Sequence, residues 1–168
     1  VSLELSTDGT NCRVDGLGGP FPSQETELYL GNSGTATRAL CAALCLSEGV
    51  FTLTGEPRMS ERPIAHLVDA LRQLGANIEY LHTEGNPPVK IRAAGLKGGR
   101  VTILGNISSQ YLTALLLASP LAQQDIVIEV EGDLVSKPYI DMTLDVMRRF
   151  GVVVERQGYN SFRVPGGI

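Results

Sequence analysis

The sequence predicts an α/β protein of repeated β-α-β-α-β-β units, with helices buried inside and sheets facing solvent, an inside-out barrel. Three observations carry that prediction. The first is an internal repeat: Arg62-Pro63-Ile64 running to Leu74-Gly75-Ala76-Asn77-Ile78-Glu79 matches Lys137-Pro138-Tyr139 running to Phe150-Gly151-Val152-Val153-Val154-Glu155. Its period of about 75 residues is too long for a solenoid and suits a whole supersecondary unit. The second is a pair of segments, Gly34–Leu46 and Ser108–Ala118, that are apolar nearly all round, as helices buried on every side must be. The third is the alternation of apolar and polar residues in strands such as Ile126–Glu131, which leaves one sheet face to water.

The elements follow in order. Ser2–Leu5 and Cys12–Asp15, joined by a turn at Asp8-Gly9-Thr10, read as a hairpin. It resembles the hairpins that close the later units, so residues 1–17 are taken as the tail of a first unit, 18–97 as a second and 98–168 as a third. A unit lacking its first half would leave apolar faces open, so the native protein is expected to extend upstream of Val1. In the second unit, helix Gly34–Leu46 leads to strand Val50–Thr54. A further helix is expected to start on Pro63, whose missing N–H is harmless at the first helical position, and to stop at Gly75, suited to the left-handed position beyond a helix end. Ile64, Leu67, Val68, Leu71 and Leu74 form its apolar face. Strands Asn77–Leu81 and Val89–Arg92 close the unit. The third unit repeats this order: helix Ser108–Ala118, strand Ile126–Glu131, and a helix from Pro138 to Gly151 with Ile140, Leu144, Met147 and Phe150 on its apolar face. The hairpin Val152–Arg156 with Ser161–Val164 ends it.

Bulk properties narrow the function. The 168 residues are enough for one domain with a real core; 43% are hydrophobic and the mean hydropathy is +0.07. A formal charge of −4 argues against nucleic-acid partners, which need a basic field, but still allows a local anion site. Cys12, Cys41 and Cys45 form no CxxC pair and suggest reduced thiols. Cys41 and Cys45 read as small buried side chains. No apolar run is long enough to cross a bilayer, so no membrane partner is expected.

Two stretches stand out chemically. Leu30-Gly31-Asn32-Ser33-Gly34-Thr35-Ala36-Thr37-Arg38 puts glycine and small hydroxyl residues at a helix entrance, where free N–H groups favour an anion. Taken alone it is more often a plain cap, and it lacks the Gly-Lys-Ser/Thr of a Walker A loop. Gly55-Glu56-Pro57-Arg58-Met59-Ser60-Glu61-Arg62-Pro63 carries Arg62 ahead of a helix, as Lys137 stands ahead of its own, at the end where the dipole disfavours a cation. A bound anion would account for both. Ser108-Ser109-Gln110 repeats the serine-rich entrance, and Ser136 adds a hydroxyl beside Lys137. His66 and His82 have no partners at ligand spacing, and no metal site or Ser/His/Asp arrangement is read. The residues offer several donors to anions and no evident nucleophile.

Gly31–Thr35, Glu56–Pro63, Ser108–Leu115 and Gly132–Asp141 together resemble 5-enolpyruvylshikimate-3-phosphate synthase, and the likeness runs from about Leu3 to Gly167. The resemblance implies transfer of the enolpyruvyl group of phosphoenolpyruvate to the 5-hydroxyl of shikimate 3-phosphate, with release of phosphate and without metal or organic cofactor. It implies a fold of two lobes, each of three such units, so a second lobe is an expected partner. Carried over, Gly34 and Arg62 become phosphoenolpyruvate contacts, with Gly34 also bearing on the herbicide glyphosate. Ser108, Ser109 and Ser136 become the cradle of the shikimate phosphate. Gln110 touches both substrates, and Tyr139 packs on the shikimate ring; Gln110 and Arg62 are the catalytic candidates. Ala39 stands where the family usually has Pro, a change expected to loosen the first turn of that helix.

The family's upstream Lys-Ser segment and downstream acidic and basic groups have no counterpart here, so this chain alone is expected to show no turnover. The sibling transferase acting on UDP-N-acetylglucosamine would carry a reactive loop cysteine, which Cys12, Cys41 and Cys45 do not supply. A non-catalytic binding or interaction module derived from such a lobe is the alternative, against which the intact anion positions speak. The expected setting is a bacterial cytoplasm, or a plastid if the source is a plant.

Overall fold

A computed structural model describes residues 2–167, the side chains of Pro22 and Ser23 excepted. The chain opens with an exposed hairpin, β1 (Ser2–Leu5) and β2 (Cys12–Asp15), whose turn is fixed by Asp8 accepting hydrogen bonds from the Thr10 N–H and the Ser6 and Thr10 hydroxyls. Two units of one topology follow. The first is β3 (Pro22–Tyr29), α1 (Gly34–Leu44), β4 (Glu48–Thr54), a 3₁₀ turn at Pro57–Glu61, α2 (Ala65–Gln73), β5 (Asn77–Tyr80) and β6 (Val89–Ala94). The second is β7 (Gly99–Leu104), α3 (Ser109–Ala118), a 3₁₀ turn at Ser119–Leu121, β8 (Ile126–Glu131), α4 (Lys137–Arg149), β9 (Glu155–Gln157) and β10 (Ser161–Val164).

The sheets are ordered β3-β4-β6-β5 and β7-β8-β10-β9. In each, the opening pair is parallel, as a strand-helix-strand crossover requires, and the rest is antiparallel. Phe51 and Leu53 of β4, Val89 and Ile91 of β6, Ile126 and Ile128 of β8 and Phe162 and Val164 of β10 point inward and are buried. The alternate residues on these strands carry polar groups such as Thr52, Lys90, Glu129 and Arg163. One continuous core joins both inner faces to Cys41, Leu44, Leu67, Leu71, Leu112, Leu115 and Leu116 of the helices. α1 packs on α3, α3 on α4, and α2 on β7 of the next unit, which locks the units together.

Helix ends obey local chemistry. Ser33 and Ser108 cap α1 and α3, accepting hydrogen bonds from the Ala36 and Gln110 N–H groups at 3.3 Å each. Gly75 and Gly151, at φ +96° and +87°, close α2 and α4 in matching Schellman motifs. In one, the Gly75 and Ala76 N–H groups donate to Arg72 and Leu71; in the other, Gly151 and Val152 donate to Arg148 and Met147.

Several expectations are corrected. Pro63 lies two residues before α2, whose cap is Ile64, because the 3₁₀ turn consumes the preceding chain; Pro138 is the second residue of α4 and Lys137 the first. α1 ends at Leu44, short of Leu46, and β9 starts at Glu155 because Val152–Val154 form no ladder. Neither central helix is buried all round: Thr35 and Ala39 of α1 and Leu117 of α3 are exposed. The face of α4 also differs, with Ile140, Thr143 and Met147 buried while Phe150 is exposed. Ala39 is the sixth residue of α1, beyond the first turn, where alanine is the best helix former. Cys41 and Cys45 are buried as expected, and burial pushes the Cys41 thiol up to about 12. Among the described residues no helix is long and apolar enough to cross a membrane.

Candidate functional site

The site grows from the turns that deliver the chain from strand to helix. After β3, Gly31 turns the chain at φ +56°, the Ser33 N–H donates to the Leu30 carbonyl, and α1 begins at Gly34. The Gly31 carbonyl accepts from the Glu56 N–H at 3.0 Å, so the two stretches singled out in the sequence lie side by side. Gly55 is glycine because a Cβ there would collide with the Gly31 oxygen. The 3₁₀ turn then swings Arg62 across the start of α1: a Cβ added to Gly34 would lie 2.9 Å from the Arg62 Nη1. Capping by Ser33 engages the Ala36 N–H, while the Gly34 and Thr35 N–H groups are among those a helix start leaves without an intrahelical partner.

A guanidinium over the positive end of a helix is electrostatically unfavourable without an anion between them. Arg62 has no relief from a carboxylate. Among the described residues, Arg38, Arg58 and Arg62 are the arginines that make no ion pair, whereas every other arginine has an acid within 4.0 Å. Gly34, Thr37, Arg38, Met59, Arg62 and Pro63 wall a small crevice at this point.

Beside the crevice runs a groove of about 510 Å³ between α1, α3 and α4. Thr35, Arg38, Ser109, Gln110 and Tyr139 line its polar end, and Ala39, Leu117, Met142 and Val146 its apolar length. The Arg38 Nη1 donates to the Gln110 Oε1 at 2.6 Å, and the Gln110 amide nitrogen lies 3.4 Å from the Thr35 hydroxyl. Arg38 stacks on the Tyr111 ring at 4.9 Å, and the Tyr111 hydroxyl donates to the Pro63 carbonyl at 2.8 Å. Thr113 and Thr143 hydroxyls meet at 3.2 Å and tie α3 to α4, with Thr143 also donating to the Tyr139 carbonyl.

The structure therefore brings Gly34 and Arg62 to the crevice and Ser109, Gln110 and Tyr139 to the groove. Ser108 is the cap of α3 with its oxygen engaged by Gln110, and it does not line the groove. Ser136 caps α4 in a left-handed conformation (φ 56°, ψ 42°), rare for a residue with a Cβ. Its hydroxyl makes no capping bond and it too lies outside the groove lining. Lys137 has no acid partner among the described residues and sits 5.3 Å over the Tyr159 ring. Sequence reasoning missed Arg38 as a site residue. It falls inside a helix, with no local signal beyond a charge within an apolar run, and its partner Gln110 is 72 positions away.

The family model described as EPSP synthase (3-phosphoshikimate 1-carboxyvinyltransferase) matches residues 1–168. Proteins named 3-phosphoshikimate 1-carboxyvinyltransferase from Photobacterium profundum and from a Sulfurovum species are 62% and 60% identical over 168 residues. Each alignment covers 99% of this chain and 39% of the relative, so the chain spans about 39% of the length of the curated relatives it matches. The solved EPSP synthase from Acinetobacter baumannii superposes with a TM-score of 0.72 at 30% identity, over 85% of this chain and 31% of that one. That similarity accords with the α/β architecture of inner helices and outer sheets.

Proposed function

The chain belongs to the EPSP synthase family, and from that premise we propose that it supplies part of the site at which phosphoenolpyruvate and shikimate 3-phosphate react. The 5-hydroxyl of shikimate 3-phosphate gives up its proton and its oxygen adds to C2 of phosphoenolpyruvate while a proton is added at C3, making a methyl group. Loss of one methyl proton and of phosphate from the tetrahedral intermediate then leaves the enolpyruvyl ether. The observation that carries the reading is Arg62, a guanidinium without a carboxylate held over the free N–H groups of α1 beside Gly34. Such an array is suited to the carboxylate or phosphate of phosphoenolpyruvate, since charge-assisted bonds to guanidinium are among the strongest a protein makes. Ser109 takes the shikimate phosphate from the groove lining, joined by Ser108 and Ser136 from the caps of α3 and α4 outside that lining; Tyr139 flanks the ring, and Gln110 reaches both substrates as a hydrogen-bond donor.

Both substrates carry several negative charges, which accounts for the number of donors and the lack of acids at the groove's polar end. No general acid or base stands among these residues, so the proton transfers fall to groups on a second lobe, and this chain alone gives no turnover. A bacterial cytoplasm is the setting consistent with the free thiols of Cys12, Cys41 and Cys45 and with bacterial relatives. Glyphosate, taking the phosphoenolpyruvate position, would meet Gly34 and Arg62.

Thermal unfolding with and without shikimate 3-phosphate tests the proposal. A ligand at 100 times its Kd adds about 2.7 kcal/mol to the folded state and raises the midpoint accordingly. A rise with shikimate 3-phosphate and none with shikimate supports a phosphate cradle in these residues. An unmoved midpoint at millimolar ligand contradicts it and favours a non-catalytic module.

A further inference from the structure

Gln110 matters to the proposed reaction only if its amide presents N–H groups, and not its oxygen, to an anion. An amide side chain can sit either way round with nearly the same shape, so its neighbours must decide. Arg38 decides it here. A guanidinium has donors and no acceptor, and Nη1 of Arg38 stands 2.6 Å from the Gln110 oxygen. The flipped amide would set N–H against N–H at that distance. With the oxygen held, the amide nitrogen points toward Thr35 at 3.4 Å, a contact loose enough to leave it available to a ligand in the groove.

Arg38 is itself restrained. It stacks on Tyr111 at 4.9 Å, and Tyr111 is buried and tethered through its hydroxyl to the Pro63 carbonyl, next to Arg62. The chain of contacts from Gln110 through Arg38 and Tyr111 to Pro63 thus joins groove and crevice, and Arg38 lines both. Arginine could have been neutralised by an acid, as most arginines of this protein are, but a carboxylate here would draw the guanidinium off Gln110 and repel the substrates.

We propose that Arg38 is a positioning residue that fixes the Gln110 amide with its nitrogen toward the substrates. This rests on the reading of Gln110 as a substrate contact, and the test separates the two. Nitrogen-15 spectra of the 168-residue chain identify the Gln110 side-chain NH₂ pair by its loss in Gln110→Ala. In the parent, those protons show NOEs to the Thr35 methyl and a shift away from the bulk amide position. Arg38→Met keeps an unbranched apolar stem beside Tyr111 but neither the guanidinium nor its donors; the NOEs are expected to vanish and the pair to move to the bulk position, while backbone peaks outside α1 and α3 stay in place. Arg38→Lys, a smaller change with a donor, is expected to restore part of both, and Arg38→Leu serves where Arg38→Met does not fold. An unchanged NH₂ pair in whichever of the two donor-less variants folds overturns the proposal. When shikimate 3-phosphate is titrated into the same samples, binding is expected to be about tenfold weaker in both Arg38→Met and Gln110→Ala. A collapsed amide with undiminished binding in Gln110→Ala would uphold the positioning and overturn the substrate role.

Discussion

The two complete units share a topology, a cap and a glycine stop, yet their second helices live in different surroundings. Gly75 of α2 and Gly151 of α4 occupy the same place in the repeat, and so do the residues before them, Leu74 and Phe150. Leu74 is 1% exposed and Phe150 85%. Likewise Ala70 is fully buried where its counterpart Val146 is 47% exposed. The cause is neighbourhood: β7 of the following unit covers α2, whereas α4 meets α3 and leaves Tyr139, Met142 and Val146 on the groove. Local sequence therefore sets where each helix stops, and the adjoining element sets what the helix is worth to stability.

That contrast can be broken by mutation. The largest effect is expected for Leu74→Ala, a loss of about 2–5 kcal/mol from a packed core. Phe150→Ala is expected to change stability by less than about 0.5 kcal/mol, as exposed positions do. Urea denaturation of both variants measures the pair, and comparable losses would show that α4 is covered in solution. Next come Gly75→Ala and Gly151→Ala, each expected to cost about 1–2 kcal/mol because both force a Cβ into the left-handed region. Equal costs would confirm that the caps are independent of burial; a much larger cost at Gly75 would tie the cap to the core.

Smaller still is Tyr80→Phe in β5. The Tyr80 hydroxyl is buried without a hydrogen-bond partner among the described residues, and burial pushes its pKa up to about 12. Removing the oxygen is expected to stabilise the fold by up to about 1 kcal/mol while the ring keeps its 5.1 Å contact with Arg72. A lower melting temperature would contradict this. The second unit has an acid-sensitive tie that the first lacks at the same place. Asp141, where α2 has Ala65, accepts from the Tyr159 hydroxyl at 2.7 Å and from Arg156 at 2.6 Å, and these hold its carboxyl below the usual range. Its stabilisation is therefore present above about pH 4, the unfolded aspartate value, and is lost as pH falls through the lower folded one. Hydrogen exchange in β9 and β10 should rise below about pH 4, and Asp141→Ala should reduce that step, the Asp125 carboxylate that holds Arg163 of β10 supplying the remainder.

Much of the fold was legible because period and punctuation are local signals. The glycine stops, the apolar face of α2 and the alternating strands β4 and β8 stand where periodicity places them. What was not legible depended on distance. Phe150 and Leu144 share helical spacing with Ile140 and Met147, and spacing cannot tell which side a neighbour will cover. Pro63 misled because a proline before a helix can equally end a 3₁₀ turn. At the site, the family resemblance pointed to Gly34, Arg62 and Gln110, and the Arg62 contact with the Gly34 position supplies a physical reason for glycine. A Cβ at Gly34 would force the Arg62 guanidinium to shift. Arg38 remained hidden because its meaning lies in Gln110 and Tyr111, both on another helix.

The most direct test of the proposed site is calorimetric titration of shikimate 3-phosphate into this chain, into Arg62→Ala, and into a Ser108→Ala/Ser109→Ala double variant. Binding is expected to be abolished in the double serine variant and largely kept in Arg62→Ala, because Arg62 serves the second substrate. Binding that survives loss of both serines, or none to the parent chain at millimolar ligand, would contradict a phosphate cradle at the start of α3.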